Sequence, residues 1–234
     1  MNYPKITLAV THYNRLQMVL QCIEPALHDN RISEIVIQDD ASNDGSYEQL
    51  FEFAVFNSKV RLFRNPQNFD CYRNKREAVA SARNPWVILF DSDNVFTIEG
   101  YLNVIWRLPE WSSNNVYCPT FAMPHFDYRS LEGLCVTRRN VAEQLNQTLL
   151  TAMNTANYFV CREEYLRVWD GSINPHTADS LFQNLNWLKK GNSLVFVPGL
   201  QYLHRVHAGS HYKNNVHKTG DLPKRIEREL RQLR

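Results

Sequence analysis

Asp91 and Asp93 stand one residue apart, with Ser92 between them, directly after the apolar run Val87–Phe90. In extended backbone, residues i and i+2 point the same way, so these two carboxylates share a side and repel unless a cation neutralises them. Mg²⁺ or Mn²⁺, which favour hard oxygen ligands, would do this. An ion so placed could also hold a diphosphate and take up charge as a leaving group departs. The plainer alternative is a solvated turn in which Asp91 caps a helix over 97–107. An Asp-x-Asp spacing is common by chance, so its weight comes from its position at the end of a strand-like run.

Two other polar clusters end apolar runs in the same way. Thr11, His12, Tyr13 and Asn14 follow Ile6–Val10, and Asp39 and Asp40 follow Glu34–Gln38. One of the two aspartates is expected to cap the helix that starts near Asn43, and the other to accept hydrogen bonds from a nucleoside base or ribose. Tyr13 could stack on a base or simply pack. Thr11 offers a backbone group and a hydroxyl.

The elements that must hold these clusters are legible from periodicity. Strand-like runs at Ile6–Val10, Glu34–Gln38, Val60–Phe63 and Trp86–Phe90 alternate with helical spacing through Leu16–Leu27, Leu50–Ala54 and 72–82. That rhythm predicts an α/β fold with a mostly parallel sheet and helices on both faces. Ligands of such sheets bind beyond the carboxyl ends of the strands, where all three clusters fall. The second half is less regular. Helices are predicted over 97–107, 161–168 and 178–190, the last closed by Gly191, and strands at Val116–Pro119, 156–160, Leu194–Val197 and Leu200–Leu203. Residues 120–135 read as an irregular loop. The tail places Leu222, Ile226, Leu230 and Leu233 on one helical stripe, expected to pack on the domain or on a second subunit. A peripheral membrane contact is the less favoured reading, because Glu227 and Glu229 interrupt the basic face.

Composition narrows the class. A chain of 234 residues with 44% apolar residues suits one domain with a sizeable core. A formal charge of +2 gives no reason to expect nucleic acid as a partner. Five scattered cysteines without a Cys-x-x-Cys pattern argue against a disulfide framework or a zinc cluster. No stretch approaches the ~18 apolar residues of a membrane span. A soluble, cytoplasmic protein is the expectation, with oligomeric state left open.

Taken together, ITLAVTHYNR, EIVIQDDASNDGS and NPQNFDCYRNKREAVASARNPWVILFDSDN resemble successive segments of family 2 glycosyltransferases of the GT-A fold. NYFVCREEYLRVWDGSINPHTADSLFQNLNWLKKGNSLVFVP is similar to the family's acceptor-side segment, and YLHRVHAGS to its Arg-x-His-x-Gly-Ser ending. The resemblance covers roughly residues 4–212. It implies a nucleotide-sugar-binding half over 1–95 and an acceptor-side half over 96–212, with the tail helix at 221–234 beyond them.

The resemblance also implies roles. Thr11, Tyr13 and Asn14 would meet the nucleoside, and Asp40 or Asp39 would bond the base. Arg73 would lie near the donor phosphates or base. Asp91 and Ser92 would face the ribose and sugar, Asp93 would ligate Mn²⁺ or Mg²⁺, and His207 would lie by the diphosphate or complete the metal shell, with His204 in reserve. Asp179 would be the general base. A carboxylate at a helix start in a cleft can take the proton of an attacking hydroxyl; its plainer role is an N-cap, which Thr177 could fill equally well. The implied reaction moves a sugar, with inversion, from a nucleoside-diphosphate donor (UDP favoured) to a hydroxyl of a glycan or glycolipid.

Three positions depart from the family pattern. Ala178 replaces the usual Glu before Asp179, Asn94 replaces a further Asp after the acidic pair, and no glycine occurs near Asp70–Cys71. A non-catalytic nucleotide-sugar or glycan binder of the same fold is therefore the alternative. A sugar nucleotidyltransferase ranks below it, since THYNRLQ lacks the glycines of that class's first loop. The aromatics Trp106, Trp111, Tyr117, Phe121, Phe126 and Tyr128 are assigned mostly to the core, with an acceptor groove as the other reading.

Overall fold

The computed structural model describes residues 4–207 and 216–233. Strands β1 (Ile6–His12), β2 (Ile32–Asp39), β3 (Val60–Arg64) and β4 (Trp86–Asp91) lie parallel in the order β3-β2-β1-β4. Helices α1 (Leu16–Leu27), α2 (Ser46–Phe56) and α3 (Asp70–Ser81) connect them. Alternate residues of each strand enter different cores. Ile6, Leu8, Val10, Ile35, Ile37, Ile88 and Phe90 pack with Val19, Ile23 and Ala26 of α1. Ala9, Val36, Val87 and Leu89 pack with Ala78 and Val79 of α3. A strand covered on both sides needs apolar residues at every position, which explains the uninterrupted runs in the sequence.

The sheet continues as β4-β9-β5-β10-β8. Strand β9 (Phe159–Cys161) runs antiparallel to both β4 and β5 (Asn115–Cys118). Strand β10 (Ser193–Phe196) is parallel to β5, and β8 (Cys135–Val136) closes the edge antiparallel to β10. The expected irregular loop over 120–135 is instead largely ordered. Strands β6 (Phe121–Met123) and β7 (Phe126–Asp127) form a short hairpin that joins β11 (Gln201–Leu203) in a second, three-stranded sheet. Two- and three-residue strands paired to distant partners leave almost no periodic signal, so the local pattern could not reveal them.

Four short helices complete the second half. They are α4 (Asn103–Trp106), which continues a wide turn over Ile98–Leu102, then α5 (Val141–Gln144), α6 (Gln147–Met153) and α7 (Arg162–Val168). Helix α8 (Asp179–Lys189) is different: every residue from Asp179 to Leu188 is buried. It runs through the core, and Gly191 ends it with φ +85°, the left-handed conformation that favours glycine. The C-terminal helix (Leu222–Gln232) lays Ile226 and Leu230 into the same core cluster as Trp187 and Leu188 of α8, with Leu222 and Leu233 packed beside them. The tail's apolar stripe therefore faces the protein's own core. Among the described residues no helix is long and apolar enough to cross a membrane.

Leu230 is fully buried. Leu230→Ala is expected to lower stability by about 2–5 kcal/mol through lost transfer energy and a residual cavity. Arg231→Ala, on the exposed face, should stay within about 0.5 kcal/mol. Urea midpoints of the two variants check the assignment of the stripe.

Candidate functional site

Sheet register brings the strand-end clusters to one level. Thr11 pairs with Asp91 on one side and with Gln38 on the other, and His12 pairs with Asp39. The Thr11 hydroxyl donates to Asp91 Oδ1 at 3.1 Å. Asn157 Oδ1 accepts from the Asp91 backbone N–H at 2.7 Å, which fixes the end of β4 from the second half of the chain. Lys75 of α3 reaches the same point: its Nζ lies 3.3 Å from Asp91 Oδ1 and 2.6 Å from Asp179 Oδ2. Burial alone would depress the lysine, but the two carboxylates outweigh it and hold its pKa well above the ordinary value. Enclosure in the crevice raises the Asp91 carboxyl, against the pull of Lys75.

Asp93 has its own partners. Arg15 Nη1 lies 3.2 Å and His207 Nε2 3.1 Å from its Oδ2. Enclosure pushes this carboxyl up, but the His207 hydrogen bond and the Arg15 charge win, and its pKa falls below the usual range. Arg205 then fastens the whole turn. Its guanidinium donates to the carbonyls of Ser92, Asp93 and Asn94 at 3.0, 2.6 and 3.1 Å, and to that of Met18 in α1 at 3.0 Å.

Among the described residues no group of three or more His, Cys, Asp or Glu side chains could hold a metal ion. Asp93 and His207 nonetheless fit as two of its ligands. Their facing atoms are 3.1 Å apart, close to what neighbouring ligands of an octahedral ion need at about 2.1 Å each. Mg²⁺ and Mn²⁺ commonly take only one or two protein ligands and complete the shell with water and phosphate. The Ser92 hydroxyl, beside them, is buried without a partner.

The second strand end separates its two aspartates. Asp39 is fully buried; it accepts from the Ser42 N–H at 3.1 Å and lies 3.5 Å from Arg64 Nε. It ties a turn and does not cap a helix. Helix α2 starts later than expected, at Ser46, and Asp44 takes the Ser46 N–H and hydroxyl. Burial pushes His12 down to about 4, so its 3.9 Å approach to Asp39 is not an ion pair at neutral pH. Asp40 points elsewhere. Its Oδ1 accepts from Asn65 Nδ2 and from the Phe69 N–H at 2.7 and 2.8 Å, and it lines the crevice.

The crevice is an open cavity of about 1260 Å³. Of the residues singled out in the sequence, it gathers Thr11, Tyr13, Asp40, Asp91, Ser92, Asp93 and Asp179. Four others lie outside it. Asn14, with φ +53°, exchanges hydrogen bonds with Asn43 beside the cavity. Asp39 is inside the turn. Arg73 is on the outer face of α3, over the Phe69 ring and 3.8 Å from Glu77. His207 sits against Asp93 in an adjoining recess shared with Tyr13, Asn14 and Arg15. The reserve candidate His204 lines the cavity but pairs with His125, Nδ1 to Nδ1 at 2.9 Å. Gly209, Ser210 and His211 lie outside the described residues.

Sequence reasoning missed Lys75, Arg15, Arg205 and Asn157. For Lys75 a signal existed. Cys71, Lys75, Ala78 and Ala82 recur at helical spacing, and that stripe faces the core, whereas Arg73 does not. The aromatic group divides: Trp106 and Trp111, half-buried, pack edge-on against the core with Trp111 against Phe159, while Phe126 and Tyr128 stack with centroids 6.2 Å apart and line the cavity.

The missing glycine has a structural substitute. Asp70, the first residue of α3, adopts φ +69°, and His176, before α8, adopts φ +49°. Asp70 Oδ2 meets His176 Nδ1 at 2.9 Å and accepts from Asn174 Nδ2 at 3.0 Å, and its Oδ1 accepts from the Cys71 N–H at 2.8 Å. Aspartate enters the left-handed region more readily than most residues, and these bonds hold it there.

Residues 7–169 match the family model described as glycosyl transferase family 2. Over 157 residues the chain is 26% identical to the succinoglycan biosynthesis protein ExoO of Rhizobium meliloti; the match spans 66% of this chain and 43% of that protein. The chain thus covers less than half the length of the curated relative it matches. Among solved structures it resembles S. aureus TarS 1–349 in complex with UDP-GlcNAc, with a TM-score of 0.70, 15% identity and coverage of 95% of this chain and 66% of that one. It likewise resembles the mannosyltransferase PcManGT from Pyrobaculum calidifontis in complex with GDP-Man and Mn²⁺, with a TM-score of 0.65, 15% identity and coverage of 93% and 61%. At that identity the likeness concerns the fold, which is GT-A.

If position 70 is a left-handed site held by its side chain, Asp70→Gly and Asp70→Ala should separate. Both lose the His176 and Asn174 contacts, but alanine also carries the backbone strain, about 1–2 kcal/mol. Chemical denaturation is expected to rank Asp70→Ala below Asp70→Gly by that margin.

Proposed function

The chain belongs to glycosyl transferase family 2, and from that membership we propose that its crevice transfers a sugar, with inversion, from a nucleoside diphosphate to a hydroxyl of a glycan or glycolipid. The observation that carries this reading is the convergence of three strand ends on one cavity with Asp179 in its wall. The base and ribose would lie over β1 and β2, with Tyr13, 37% exposed, free to stack and Asp40 placed to accept from the base. UDP is the favoured donor. The TarS structure, of the same fold, holds UDP-GlcNAc. Asp93 and His207 would hold Mg²⁺ or Mn²⁺. That ion, when bound, supplies positive charge at the diphosphate as it leaves.

The chain's own residues account for the rest. Asp91, fixed by Thr11 and Asn157, faces the donor sugar. Arg15 lies beside Asp93 and offers its guanidinium to the diphosphate. The acceptor hydroxyl attacks the anomeric carbon, and its proton passes to Asp179. The bond to the diphosphate breaks, and its electron pair leaves with the nucleotide. Phe126, 39% exposed over Tyr128, gives an acceptor ring an apolar face to rest on.

The test combines binding with turnover. Thermal shifts with UDP-, GDP- and dTDP-sugars, with and without Mn²⁺, should single out UDP donors with the ion. UDP release on a glycan panel should then appear, disappear with EDTA and return with Mn²⁺. Asp93→Ala should lose the response to metal. Asp179→Asn should lower kcat by about 10²–10⁴ with donor KM nearly unchanged. Full activity of folded Asp179→Asn would overturn the role of the base. Donor binding without turnover on any acceptor would instead favour a binding protein, a reading to which Ala178 lends some weight.

A further inference from the structure

Lys75 is 5% exposed, yet it lines the cavity. It stands on α3, in the donor half of the chain. Its ammonium touches Asp91 at the end of β4 and Asp179 at the start of α8, at 3.3 and 2.6 Å. A buried ammonium needs close partners, and two carboxylates for one cation leave the trio with a net charge of −1. Neutralisation alone would place Lys75 with whichever carboxylate is more buried. It bridges both, so one side chain links the residue assigned to the donor sugar with the residue assigned to the acceptor proton.

The two oxygens of Asp179 are thereby distinguished. Oδ2 takes the ammonium. Oδ1 accepts from no described residue, and it is the oxygen left for an acceptor hydroxyl. We propose that Lys75 is a positioning residue: it anchors Asp179 through Oδ2, presents Oδ1 to the acceptor, and sets the separation between base and donor sugar. This rests on the reading of Asp179 as the base. Reacting groups must meet within a few tenths of an ångström of the productive geometry, and a displacement of about 1 Å can cost about 100-fold in rate.

The experiment compares Lys75→Met, Asp179→Asn and the double variant with the unaltered protein. It measures kcat for sugar transfer per mole of enzyme that binds UDP. Lys75→Met is expected to lose about 100-fold in kcat. The double variant is expected to fall no further than Asp179→Asn, because a residue that acts through Asp179 has nothing left to position. Lys75→Met leaves two carboxylates uncompensated, and where it does not fold well enough to assay, the double variant, which removes one of those charges, decides the matter by its comparison with Asp179→Asn. A double variant at least tenfold slower than Asp179→Asn would overturn the proposal and leave the base intact, as would undiminished kcat in folded Lys75→Met. Undiminished kcat in Asp179→Asn would instead remove the base, and the proposal with it.

Discussion

Negative charge gathered at the ends of parallel strands is the constraint on which this molecule turns. Asp91, Asp93 and Asp179 project into one cavity, and like charges at such range repel strongly where water is scarce. The protein answers with organic cations of its own. Lys75 lies between Asp91 and Asp179, and Arg15 lies beside Asp93, to which His207 adds a hydrogen bond. Removing one member of a buried pair of this kind typically costs about 3–5 kcal/mol, because the remaining charge has no compensation. The site therefore also supports the fold, since the ion pairs that shape it tie α1, α3, β4 and α8 together.

The same charges explain why backbone is fastened so heavily here. Arg205 gathers three successive carbonyls of the turn after β4 and binds α1 as well. Asn157, itself at φ +70°, accepts the Asp91 N–H. Asp70 and His176, both left-handed, grip each other across the start of α3 and the approach to α8. Unfavourable backbone conformations held by side-chain hydrogen bonds tend to cluster at functional sites, and here two of them, Asp70 and Asn157, line one cavity.

The second half shows how an irregular sequence can still build a rigid wall. Helix α8 is buried on every side although Gln183, Asn184 and Asn186 lie within it. Asn184 donates to the Met153 carbonyl at 2.7 Å, and Tyr72 bonds Gln183 at 3.1 Å. The C-terminal helix covers α8 with its apolar stripe. Asp179 thus sits at the tip of an element held from several directions, which suits the role of base proposed for it.

Local pattern was enough to determine the first half: three buried strands and the edge strand β3, the helices between them, and three polar clusters at the strands' carboxyl ends. It was enough because two-sided burial writes continuous apolar runs and helix faces write a 3.6-residue period, both readable along the chain. Only the tertiary structure decided what those clusters do to one another. It turned Asp39 into a turn and Asp40 toward the crevice, left Arg73 on an outer face and brought Lys75, two residues on, between two aspartates. It also paired residues 121–136 with strands far away in the chain. Those outcomes depend on contacts between residues tens to more than a hundred positions apart, and no local period encodes them.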